Sequence, residues 1–218
     1  MDEKFWIRRW ETGEIGFHKD EPHHFLQRFF DALALSPGDH CLVPLCGKTP
    51  DLAWLHGRGL RVTGIELSRL AVDAFVSENH LRGEWTTSAG VPCYLDQRYR
   101  LYCGDFFVLT TSVLGPVRAA YDRGALVALP PGQRNRYAAR HAALMPTGSR
   151  ILLISYDYDQ DETDGPPFSV PFVGLDGLFE DWFEIELLVE EDVLWSHQRL
   201  AMRGVTELIE FAALLTRK

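Results

Sequence analysis

Between Leu42 and Glu66 the chain reads Leu-Val-Pro-Leu-Cys-Gly-Lys, then a short helical pattern, then Arg-Val-Thr-Gly-Ile-Glu. One apolar run ends in a turn containing Gly47. A second ends in a carboxylate nineteen residues further on. This is the layout of a βαβ unit, whose ligand lies over the carboxyl ends of parallel strands. The glycine turn lets backbone approach the ligand, and an acid at the tip of the second strand accepts hydrogen bonds from a ribose diol. The pattern points to a cofactor that carries adenosine.

The glycine count narrows the choice. A dinucleotide needs bare backbone at a helix N-terminus for its pyrophosphate, hence G-x-G-x-x-G. Here Gly47 stands alone and Pro44 opens the turn. S-adenosylmethionine has no phosphate and needs less of that cradle, so it leads over NAD(P) or a flavin. An ordinary α/β domain, with Gly47 as a turn residue and Glu66 as a solvated strand end, stays open on this fragment alone.

The chain has 218 residues, 46% hydrophobic and 24% charged, as expected of one soluble domain over 1–218. No apolar run reaches the length of a membrane span. The charged start, Met1-Asp2-Glu3-Lys4, does not open a signal peptide. A cytoplasmic monomer is expected. Cys41, Cys46, Cys93 and Cys103 form no CxxC and read as reduced thiols. No spacing suggests a metal, and His23-His24 reads as a surface pair. The net charge is −9, and thirteen Asp/Glu with no Lys or Arg fall between Ile151 and Gln198. That block argues against a nucleic-acid footprint, and Asp157 to Asp164 reads as an exposed loop.

Strand and helix patterns alternate through the middle of the chain. Helices are expected near Phe5–Trp10, His24–Leu35, Pro50–His56, Ser68–Asn79 and Pro131–Met145. Strands are expected at Asp39–Pro44, Arg61–Glu66, Leu101–Cys103, Val117–Asp122 and Arg150–Tyr156, with Ile185–Val189 and Glu207–Thr216 closing the chain. Leu81 to Arg100 reads as an irregular insertion with short strands. The fold class is α/β: a doubly wound, mostly parallel sheet of Rossmann-like type with an antiparallel edge and helices on both faces.

Tyr121-Asp122-Arg123-Gly124-Ala125-Leu126 lies at the carboxyl end of the fourth strand, where such sheets gather their chemistry. An arginine there is a fixed cation with five donors, suited to an anionic or electron-rich acceptor such as a thiolate. Six strings in order now carry a resemblance. They are Trp6-x-x-x-Trp10, Gly16-Phe17-His18, Pro44-Leu45-Cys46-Gly47-Lys48, Gly64-Ile65-Glu66-Leu67-Ser68, the string from Tyr121 to Leu126, and Gly165-Pro166-Pro167-Phe168-x-Val170-Pro171. Together they resemble the thiopurine S-methyltransferase family, class I enzymes that use S-adenosylmethionine.

The resemblance implies residue roles. Trp10, Leu45, Glu66, Asp105, Phe106 and Arg123 would hold the cofactor, under an N-terminal helical cap over 1–36. Glu66 would take the ribose, and Asp105 and Phe106 would bracket the adenine. Phe17, Pro171 and Arg199 would face the acceptor, and Arg123 would be the catalytic cation. The implied reaction is methyl transfer to the sulfur of a small aromatic or heterocyclic thiol such as a thiopurine, or to selenium or tellurium. Such a reaction gains most from alignment and exclusion of water. It has little need of a strong base, because aromatic thiols ionise readily. A NAD(P)-dependent oxidoreductase and a non-catalytic module that binds the cofactor are the rival readings.

Overall fold

The computed structural model describes residues 3–218; Met1 and Asp2, the first half of the charged start, lie outside the described residues. A single nine-stranded sheet organises the chain. Its parallel centre comprises β1 (His40–Pro44), β2 (Arg61–Glu66), β5 (Tyr99–Cys103), β6 (Ala119–Arg123) and β7 (Arg150–Asp157). The hairpin of β3 (Glu84–Ser88) and β4 (Val91–Leu95) extends it beyond β5. At the other end β9 (Ile209–Arg217) runs antiparallel to both β7 and β8 (Phe183–Asp192). The strand order is β3-β4-β5-β2-β1-β6-β7-β9-β8. The chain winds outward from β1 in both directions, so the order reverses between β1 and β6. Open α/β sheets bind ligands in the crevice at that reversal, outside the carboxyl ends of the strands.

Side chains alternate across the sheet and divide the core in two. Leu42, Ala120, Ile151, Leu153, Phe211 and Ala213 point to one face, which α6 (Pro131–Leu144) covers with Tyr137 and Ala138. Cys41, Val43, Tyr121, Leu152, Ile154 and Ala212 point to the other. That face is covered by α2 (His24–Phe29), α3 (Asp51–Gly57) and α4 (Arg69–Glu78), through Phe25, Leu26, Leu52, Leu55, Val72 and Phe75. Every residue of β1 is buried, as a strand packed on both faces must be.

The expected helix His24–Leu35 is α2 followed by a 3-10 turn over Phe30–Leu33, which stops at Ala34 in a left-handed conformation. Ser68 caps α4, accepting the Ala71 N–H. Single-turn helices α5 (Thr111–Leu114), α7 (Asp176–Phe179) and α8 (Gln198–Ala201) fill connections. The acidic segment 157–164 is pinned: Gln160 bonds Ser169, Tyr158 and Thr163, and Glu162 accepts from Thr206. No helix among the described residues is long and apolar enough to cross a membrane.

The N-terminal helix α1 (Glu3–Glu11) differs from the others because it buries no residue. Its aromatic side instead faces a cavity above the sheet, where the ring of Phe17 meets Trp6 and Trp10 edge-on, each at 5.6 Å between centroids.

Candidate active site

A cavity of about 850 Å³ opens at the reversal point. Four strand ends floor it: the turn after β1 (Leu45 to Thr49), Glu66 at the tip of β2, Arg123 at the tip of β6, and Tyr156 near the end of β7. Above them stand α1, the loop 13–20, Pro166, Pro167 and the segment 196–203. The volume falls within the range that holds drug-sized ligands.

The turn after β1 is shaped by backbone. Leu45 and Gly47 both take positive φ, +48° and +52°. A side chain on Gly47 would place Cβ 2.9 Å from the Trp10 ring, so glycine lets α1 close on the turn. Glu66 ties this turn to the next one. Its Oε2 accepts the Gly47 N–H at 2.9 Å and its Oε1 accepts the Ser68 N–H at 2.8 Å. Burial pushes the Glu66 carboxyl up, while the N–H groups of Ser68, Gly47 and Leu67 pull the other way. Each oxygen keeps a second lone pair for a hydroxyl donor.

Cations collect around Gly16 and Phe17. Arg123 donates from Nη1 to the Phe17 carbonyl at 3.3 Å, which fixes it across the cavity floor. Burial works against its charge, but Tyr156, Tyr121, Asp51 and Glu210 outweigh that and hold it cationic. Arg199 lays its guanidinium on the bare Cα of Gly16. Among the described residues it makes no hydrogen bond or ion pair. Arg203 donates to the Pro166 carbonyl at 3.3 Å, and Lys19 lines the same end.

Six of the nine expected site residues line this cavity: Trp10, Leu45, Glu66, Arg123, Phe17 and Arg199. Asp105, Phe106 and Pro171 do not. Asp105 is occupied as a cap, accepting the Phe107 N–H at 3.0 Å. The Phe106 ring is 3% exposed and packs on Tyr137 and His141, so it serves the core and not a cavity wall. Pro171 starts the turn Phe172–Gly174; its neighbours Pro166 and Pro167 are the prolines at the cavity.

Sequence reasoning missed a polar layer beneath the floor. His23 is not a surface residue: its side chain is 9% exposed and its Nε2 lies 3.2 Å from Glu210 on β9. Its Nδ1 accepts the Phe25 N–H, so Nε2 carries the proton and donates to Glu210. His23, His24 and Glu210 cluster tightly enough to suggest a cation site. With both ring nitrogens of His23 committed, the geometry is that of a His–carboxylate pair. Burial opposes ionisation of Glu210, yet the hydrogen bond from His23, with Arg123 and Tyr156, holds its carboxyl below the ordinary range. Asp51, also buried, accepts the His23 N–H at 2.8 Å. Tyr156 and His197 were missed too; both line the cavity and lie 3.2 Å apart, Oη to Nε2. The thiols are no nucleophiles: burial pushes Cys41 up to about 12 and Cys93 to about 11, and Cys46 well above its ordinary value.

The site fits an adenosine-bearing sulfonium cofactor better than a dinucleotide. It offers a buried carboxylate with spare acceptor capacity and aromatic walls, with no run of glycines for a pyrophosphate.

Comparison with known proteins agrees. The sequence model of the thiopurine S-methyltransferase (TPMT) family matches residues 1–218. The thiopurine S-methyltransferase of Pseudomonas aeruginosa is 45% identical over 217 residues, covering 100% of both chains. That of Nitrosospira multiformis is 41% identical over 99% of this chain and 98% of its own. Among solved structures, the 1,6-didemethyltoxoflavin-N1-methyltransferase of Burkholderia thailandensis superposes with a TM-score of 0.61 over 98% of this chain and 87% of its own, at 17% identity. That likeness concerns the fold. Full-length matches at these identities, together with this site, show that the chain is a methyltransferase belonging to the thiopurine S-methyltransferase family.

Proposed function

We propose that this methyltransferase moves the methyl group of S-adenosylmethionine to the sulfur of a small aromatic or heterocyclic thiol, thiopurines among them, with selenium and tellurium anions as further acceptors. The observation that carries this reading is one cavity with two kinds of polar lining. Glu66 offers a carboxylate with spare acceptor capacity, and Arg123, Arg199 and Arg203 offer cations, with the touching rings of Trp10 and Phe17 among them. The relatives named above bear the same activity in their names.

Glu66, Leu45 and Trp10 would hold the cofactor. When bound, it supplies an electrophilic methyl on a positively charged sulfur. The residues of this chain do the rest. Phe17 and Trp6 present ring faces and edges to a flat acceptor and keep water away. Arg123, pinned by the Phe17 carbonyl, and Arg199, without a hydrogen-bond or ion-pair partner among the described residues, place positive charge where a thiolate would sit, which favours its ionised form. Alignment in a dry site then supplies most of the acceleration.

The test is direct. The purified protein is incubated with S-adenosylmethionine and a panel containing a thiopurine, a thiophenol, selenite, tellurite and an amine, and methylated products are read by mass spectrometry. S-methylation of the aromatic thiols is expected, with Arg123→Ala losing tenfold or more in kcat/KM. Methylation of the amine alone, or of nothing, overturns the reading.

A further inference from the structure

Methyl transfer from a sulfonium to a neutral thiol releases one proton, and the cations around Phe17 cannot accept it. Two side chains of the same cavity can take it, Tyr156 and His197. Both line the cavity, with Tyr156 Oη 3.2 Å from His197 Nε2. The tautomer follows from the other ring nitrogen. His197 Nδ1 lies 3.0 Å from the Val193 carbonyl, which can only accept, and Ser196 Oγ, also 3.0 Å away, gives its own hydrogen to that carbonyl, so Nδ1 carries the hydrogen. Nε2 is then bare and accepts from Tyr156, whose hydroxyl also faces the Glu210 carboxylate and the Arg123 guanidinium. With Arg123 on one side of the Tyr156 oxygen, one lone pair stays open to a proton arriving from the cavity.

We propose that Tyr156 and His197 form a proton relay for the acceptor thiol, Tyr156 touching the substrate and His197 acting through it. The inference rests on the thiol reading above. As the thiol S–H bond breaks, its proton passes to Tyr156 Oη, and the Tyr156 hydroxyl proton passes to His197 Nε2. The sulfur electron pair forms the new bond to the methyl group. The old bond breaks with its electrons left on the donor's sulfur. After the product leaves, the imidazolium returns its proton through Tyr156 to water in the emptied cavity.

The groups facing the pair suit this role. Glu210 on β9 faces both rings and favours the imidazolium once it forms. Lys19 from the N-terminal loop and Arg123 from β6 oppose that charge. With burial, the largest effect, they lower the His197 pKa, so the ring stays a neutral acceptor into mildly acidic solution. His23 stands behind Glu210 and keeps it ionised.

The experiment is a pH profile of kcat/KM for one substituted thiophenol, comparing wild type with Tyr156→Phe and with His197→Gln. Binding of S-adenosylhomocysteine serves as the check on folding. Below the pKa of the thiol the relay matters, because the proton must still leave. Above it the thiolate arrives ready-made. The ratio of wild type to variant should be tenfold or more at two pH units below the thiol pKa and shrink to threefold or less above it. A ratio constant across pH, or no loss in either variant, overturns the relay. Wild type that binds S-adenosylhomocysteine but methylates no thiol at any pH removes the thiol reading itself, and the relay with it. Two variants guard against one that fails to fold; His197 is only half-buried.

Discussion

Both oxygens of Glu66 already hold backbone N–H groups of two different turns, those of Gly47 and Ser68. A glutamine there has one oxygen and one NH2, so one of those N–H groups would face another donor. Losing a charged acceptor costs about 1.5–3 kcal/mol. Glu66→Gln should therefore weaken S-adenosylhomocysteine binding by about tenfold or more in calorimetry and also lower the unfolding temperature. Unchanged affinity would detach Glu66 from ligand binding. His141 makes the opposite case, a polar group with no work visible. It is fully buried, neither ring nitrogen has a hydrogen-bond partner among the described residues, and it packs tilted on Phe106 and edge-on to Tyr137. Burial lowers its pKa to about 3. The unfolded chain takes up this proton below pH 6.5 while the folded chain does not. Stability is therefore lost progressively as pH falls from 6.5 towards 3. Between pH 7 and 5 the loss is on the order of 2 kcal/mol from this residue. Urea unfolding of His141→Leu should show a shallower decline over that interval than wild type; parallel declines would mean that the ring finds a proton partner.

At the scale of elements, α1 stands apart. A nine-residue helix is marginal by itself in water, and this one buries nothing in the core. It is docked by ring contacts of Trp6 and Trp10 with Phe17, by the close approach of Trp10 to Gly47 and by packing against α4. A ligand beneath those rings would add contacts that only the docked helix can make. Amide hydrogens of α1 should exchange fast in the free protein and slow at least tenfold with S-adenosylhomocysteine, while those of β1 and β7 stay unchanged. Equal exchange with and without ligand would show that α1 takes no part in binding. Elements also explain what could be read in advance. β1, β2 and β7 are buried on both faces, so their apolar runs were plain in the sequence. The insertion at Leu81 to Arg100 was read as irregular with short strands, and β3 and β4 are those strands; their bounds were not legible, because β3 is the exposed edge and its side chains carry little pattern. Phe106 was read as a wall because a Gly-Asp-Phe string says which residues follow β5 and not which way a ring turns. The pair His23–Glu210 spans 187 positions and Tyr156–His197 spans 41. Neither leaves a local signature; the sheet sets Tyr156 on β7 opposite Glu210 on β9, and segments outside the sheet bring His23 and His197 to them.

Over the whole molecule, the cationic end of the cavity is closed by two segments far apart in the chain, residues 13–20 and 196–203. Their contact has one tight point. A Cβ on Gly16 would collide with Arg199 Nη1 and lie 2.5 Å from its Cζ. The obstacle is the far end of a flexible side chain, so the fold can absorb a methyl group by swinging the guanidinium away. Gly16→Ala should therefore leave the unfolding temperature within about 2 °C, since a surface change of this kind stays within about 0.5 kcal/mol. It should still cost several-fold in kcat/KM for an anionic thiol, because a displaced guanidinium no longer meets the sulfur. If Gly16 acts only through Arg199, the two substitutions share one effect. In a double-mutant cycle, adding Gly16→Ala to Arg199→Ala should then cost nothing further. Losses that multiply would mean that Gly16 shapes the pocket by another route, and that Arg199 reaches the acceptor from a different seat.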